Sequence, residues 1–179
     1  GVRGAVNIGR LFSDIQQHGY QRTFDELGIA YQGKSVKEIC SGLVNYIVNS
    51  SDSKEDSVAK IAAVNAMATI YEYIENNNLE IQSLDKVENG LVEQVLSTYV
   101  ECYISGRILN DLQFCLEKNS DDIDKTVKIE QEIKDYVSGK VTTTFQIKEI
   151  RDKIFGHQSI EVGIEQLYKK CYSVLEDMV

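Results

Sequence analysis

The sequence contains no proline. Proline is the commonest helix breaker, because it lacks an N–H and its ring clashes with the preceding turn. Histidine is almost missing too, with only His18 and His157. The four cysteines, Cys40, Cys102, Cys115 and Cys171, are widely separated and form no C-x-x-C pair. Zinc needs four ligands at knuckle or helical spacing, so neither a metal nor another cofactor is expected. Each cysteine sits among apolar residues at helical spacing and reads as a buried, reduced thiol. That suits a cytosolic compartment.

Positive charge is also scarce, with 19 Lys and Arg against 28 Asp and Glu, a net charge of −9. Binding to phosphate backbones needs clustered cations, so the balance argues against a nucleic-acid partner; Lys169-Lys170 is the nearest basic cluster. No apolar run approaches the roughly 18–20 residues of a membrane span, and no secretory signal is visible. The expected location is cytoplasmic. "GKS" at 33–35 lacks the preceding strand and first glycine of a phosphate-binding loop.

What the chain does have is apolar residues at three- and four-residue spacing throughout its 179 residues, with no period-two run. The expectation is all-α: a single helical bundle of about five to seven helices, one domain over residues 1–179. Because it begins at Gly1 and not at methionine, the chain is read as the C-terminal part of a longer protein with further residues ahead of it.

The first helix is expected over 4–17 with Val6, Leu11 and Ile15 inward, ending at His18-Gly19, and a short turn of helix follows at "TFDELGI". "SVKE" at 35–38 is a capping box, with Ser35 as N-cap and Glu38 at the third helical position. Its helix should bury Val36, Ile39, Cys40, Leu43, Val44 and Ile47. After the polar stretch 49–56 comes an alanine-rich helix with Ile61, Val64, Ala68, Tyr71 and Ile74 as the inward stripe; Asn65 is read as a buried amide bonding a neighbouring helix. "NNN" at 76–78 ends it. Further helices are expected over 84–117, with a bend near Ser105-Gly106, over 123–155 through Ile123, Val127, Ile133, Val137, Val141 and Phe145, and over 159–178 through Ile160, Ile164, Leu167, Cys171 and Leu175.

Two stretches invite a chemical reading. "RDKIFGH" at 151–157 resembles the R-x(4–6)-H motif of HEPN-type ribonucleases. There His157 would act as general acid or base and Arg151 would stabilise charge on phosphorus. The same residues also make a good helix end: Arg151 and Lys153 face the negative dipole terminus, Gly156 takes the left-handed position, and Ser159 caps the next helix. The second reading is preferred, since every residue has a structural job. In "YISGRILND", Arg107, Asn110 and Asp111 fall on one helical face. They are either a polar recognition cluster or an ordinary Arg107–Asp111 ion pair, and the ordinary pair is preferred.

The order of segments carries a family resemblance. "VRGAVNIGRLF", "GKSVKEICSGLVNYIV", an acidic loop, "DSVAKIAAVNAM", "YISGRILND" and "IEQEIKDYVSG" together resemble QatB-like proteins of Qat anti-phage defence systems, over about residues 2–140. The resemblance implies a bacterial, non-enzymatic defence component working beside an ATPase, a QueC-like enzyme and a TatD-like nuclease. It further implies a role as protein partner or substrate of the QueC-like enzyme, with a flexible small-residue N-terminal segment, not contained in this sequence, as the modification site, and with Arg107, Asn110 and Asp111 as a partner-binding or fold-defining cluster. The alternative is a HEPN-like ribonuclease or toxin using Arg151 and His157.

Overall fold

The computed structural model describes residues 1–48, 54–119, 123–145 and 159–176. The described residues form helices and no strand. In order they are α1 (Val2–His18), α2 (Tyr20–Leu27), α3 (Val36–Val48), α4 (Lys54–Asn76), a 3₁₀ turn (Ile81–Lys86), α5 (Asn89–Asn119), α6 (Ile123–Phe145) and α7 (Ser159–Leu175). The fold is all-α. The chain divides into two compact units, Gly1–Tyr99 and Val100–Val179, with α5 contributing to both.

In the first unit, α1 buries Ala5, Ile8, Leu11, Phe12 and Ile15 along one face, and α3 and α4 form its most extensive helix pair. Helix ends here follow local backbone chemistry. Gly28 adopts φ 68° and closes α2 with a pair of bonds, Gly28 N–H to the Asp25 carbonyl and Ile29 N–H to the Phe24 carbonyl. This is a Schellman ending, and Ile29 and Phe24, at the positions of its usual apolar pair, are both buried. Asn78, with φ 50°, does the same for α4, since Leu79 N–H bonds the Ile74 carbonyl. That is how the run of asparagines breaks the helix: a short amide side chain tolerates the left-handed conformation. The α2 start is capped from far along the chain, where the Asp85 carboxylate accepts the Tyr20 N–H at 2.6 Å.

The capping box at the start of α3 is formed as expected. Glu38 Oε2 accepts the Ser35 N–H at 2.9 Å, and the Glu38 N–H donates to Ser35 Oγ at 3.3 Å. The Ser35 backbone bond, with further bonds from Lys34 and the Ser35 hydroxyl, pulls the Glu38 carboxyl from 4.5 down to about 2. A carboxyl whose folded value is lowered favours the fold above its unfolded value and loses that contribution as pH falls. Stability should therefore decline between about pH 4.5 and 2 through this group. A carbonyl-detected NMR titration is expected to find Glu38 near 2, and Ser35→Ala to raise it only in part, since alanine keeps the backbone N–H that lowers it most. An ordinary value in the parent protein would remove the capping box as the cause.

Of the positions expected inside α3, Ile39, Cys40, Leu43, Val44 and Ile47 are buried and Val36 is half-buried. In α4 the expected face is corrected. Ile61 is 62% exposed and Val64 51%, and Ala68 also faces solvent; only Ile74 of the expected stripe is fully buried. The inward face carries Val58, Ala59, Ala62, Ala63, Ala66, Met67 and Ile70. Helix α3 already supplies bulky Ile39, Leu43 and Ile47, so dense packing at close helix separation calls for small residues opposite them. Asn65 is exposed, and its Nδ2 donates to the Ile61 carbonyl of its own helix at 2.9 Å.

In the second unit the core is built from Tyr103, Ile104, Ile108 and Leu112 of α5, Ile133, Val137 and Val141 of α6, and the seam Ile160, Ile164, Leu167, Cys171 and Leu175 of α7. The α7 seam is the one expected from its spacing. Val127 departs from expectation at 58% exposed. Helix α5 continues through Ser105-Gly106, and the segment before it is a separate 3₁₀ turn.

Candidate functional site

The polar positions expected in "YISGRILND" lie on α5, and two of them, Arg107 and Asp111, are drawn into a cluster with α7. Residues 107 and 111 are one helical turn apart on α5, and 165, 168 and 172 share a face of α7 at three- and four-residue spacing. Arg107 Nη1 donates to Glu165 Oε1 at 2.6 Å, and the guanidinium carbon lies 3.8 Å from the centroid of the Tyr168 ring. The Tyr168 hydroxyl donates to Asp111 Oδ2. Tyr172 extends the cluster, its ring 5.8 Å from that of Tyr168. Arg107 and Asp111 are thus engaged with α7 and are not the simple ion pair expected within α5. Asn110, on the same helix, is exposed.

The electrostatics hold the protons of this cluster in place. Burial works against the charge on Arg107, but the Glu165 hydrogen bond and neighbouring groups more than offset it, so the guanidinium titrates above its ordinary value. Burial, followed by the Asp111 hydrogen bond, pushes the Tyr168 phenol well up. Neither group exchanges a proton near neutral pH. The arginine presents a fixed charge, and the tyrosine a fixed donor, with its ring face covered by the cation.

The three thiols described, those of Cys40, Cys102 and Cys171, are equally quiet. Burial pushes Cys40 up to about 11 and also raises Cys102 and Cys171, whereas a reactive cysteine needs the thiolate. No group of three or more His, Cys, Asp and Glu among the described residues is arranged to hold a metal ion. No helix among them is long and apolar enough to cross a membrane. Arg151 and His157 lie outside the described residues.

Sequence reasoning found Arg107 and Asp111 but missed Glu165, Tyr168 and Tyr172. A signal was present: with Ile164, Leu167 and Cys171 as the seam of α7, Glu165 and Tyr168 occupy the flanking positions where amphipathic side chains cover a core edge. Replacing Arg107 with Met keeps most of the stem but removes the ion pair and the cation–π contact. The side chains of Arg107 and Glu165 are 29% and 39% exposed, so solvent screening limits the pair. A loss of about 1–2 kcal/mol is expected for Arg107→Met in urea unfolding. A change below about 0.3 kcal/mol would show the cluster to be energetically idle.

A family model described as Qat anti-phage system associated protein QatB matches residues 1–175. No curated protein and no solved structure matches the chain. The match runs through both units, from the first turn of α1 to the last of α7, and includes the stretch beyond residue 140 that the segment order had left aside. On that coverage the chain belongs to the QatB family, the QatB proteins associated with Qat anti-phage systems.

Proposed function

We propose that this chain is a non-enzymatic, cytoplasmic component of a bacterial Qat defence system that acts as the protein partner or substrate of a QueC-like enzyme. The family match over residues 1–175 carries the reading. The chemistry of the described residues supports it, since the Arg107–Tyr168 cluster holds its protons and the buried thiols stay protonated. On this reading Arg107 and Asp111 define the fold by fastening α5 to α7, and Asn110 remains outward as a contact residue.

Co-expression of the full-length protein with the other components of its system tests this. A stable complex with the QueC-like enzyme, or a mass shift on this protein that depends on it, is the expected result. An unmodified protein that copurifies with none of them would overturn the reading. Arg151→Ala and His157→Ala should leave phage protection intact; loss of protection in either variant, with the protein still folded, would return the ribonuclease reading.

A further inference from the structure

Helix α4 is apolar on two opposite faces. Its inner face is the alanine-rich surface packed in the first unit, and its outer face carries Ile61, Val64, Ala68 and Tyr71. These four recur at intervals of three, four and three, the spacing of a heptad seam. Ile61 at 62% and Val64 at 51% exposure are among the most exposed large apolar side chains described. Polar Lys60, Asn65 and Glu72 flank the stripe, and an apolar seam at heptad spacing is the surface that another helix covers.

Charge decides which helix. The seam's next heptad position after Tyr71 is Glu75, and Glu72 stands beside it; both are exposed. Lys60 is exposed near the opposite end. A second copy of this chain fits poorly, because each copy brings a net charge of −9.

We infer that the outer face of α4 is a docking surface for an amphipathic helix of another protein, with apolar residues at three- and four-residue spacing and Lys or Arg placed against Glu72 and Glu75. The inference rests on the partner reading above and names the surface that serves it.

The test uses the full-length protein with the purified components of its system. Ile61→Asp and Val64→Asp alter exposed side chains, so the fold should survive, which circular dichroism verifies. Val127→Asp, at a position 58% exposed in the second unit, is the control. The seam variants should bind the partner at least about tenfold more weakly, while the control binds as the parent does. Glu72→Lys with Glu75→Lys should weaken binding chiefly at low salt. A photo-crosslinking residue at position 68 should capture a partner helix with basic flanks.

Parent-like binding by the Ile61 and Val64 variants would overturn the surface and leave the partner reading standing. Absence of any complex with the parent protein would overturn both. A parent dimer that Ile61→Asp converts to monomer, or a crosslink to an acidic segment, would overturn the stated occupant.

Discussion

Gly4→Ala should destabilise the first unit by about 3 kcal/mol or more, a large effect for adding one methyl group. On helix propensity alone the sign would be reversed, because alanine is favoured over glycine inside a helix by about 1 kcal/mol. Space decides otherwise. A Cβ at position 4 would lie 2.0 Å from Tyr99 Oη and 2.4 Å from its Cζ. Tyr99 has little freedom to yield: it is 0% exposed, and its hydroxyl donates to the Gly1 carbonyl at 2.6 Å. Either the ring leaves its site, breaking that bond and opening the core, or α1 moves away from the face that buries Ala5 and Ile8.

Chemical denaturation of Gly4→Ala, Tyr99→Leu and the double variant measures this. Tyr99→Leu costs stability by itself through lost packing and the lost hydroxyl bond. In its background the added methyl finds room, so the double variant should be clearly more stable than the sum of the single losses predicts. Gly139→Ala in α6 is the opposite case. Nothing lies within 4 Å of its Cβ position, so propensity acts unopposed and a gain of roughly 0.5–1 kcal/mol is expected. If Gly4→Ala unfolds within about 0.5 kcal/mol of the parent protein, the close approach of α1 to Tyr99 is wrong.

The sequence disclosed features whose cause is local. The capping box at Ser35 and Glu38, the break at Asn78 and the α7 seam each depend on residues within a few positions of one another, so spacing and residue type suffice. The Tyr99–Gly4 approach joins positions 95 residues apart, and no periodicity announces it. The Arg107 site was half legible for the same reason. Arg107 and Asp111 share one helix, whereas Glu165 and Tyr168 come from another whose pairing with α5 is a tertiary fact. In α4 the difficulty was a real ambiguity: two apolar faces compete, and ranking them by side-chain size selects the outer one. Packing ranked them by fit against α3.

That ranking yields the second large prediction. Ala63 and Ala66 are 0% exposed on the inner face, whereas Ala68 on the outer face lies open to solvent. Changing each in turn to leucine adds the same three carbons to the same helix, with the same small change in helix propensity. Only the surroundings differ. At positions 63 and 66 the added atoms enter a filled interior and force neighbouring side chains off their rotamers or α4 away from its neighbours, at about 1–3 kcal/mol each. At position 68 they meet water, and the effect should stay within about 0.5 kcal/mol. Urea midpoints for the three variants therefore report directly which face of α4 is inside. Equal losses at all three positions would mean that the outer face is also packed within this chain, and would remove both the exposed seam and the partner helix inferred from it. A loss at 68 with none at 63 and 66 would restore the face that side-chain size alone suggests. The described burial requires the first pattern, because a fully enclosed alanine has no spare volume beside it and an exposed one has no neighbour to displace.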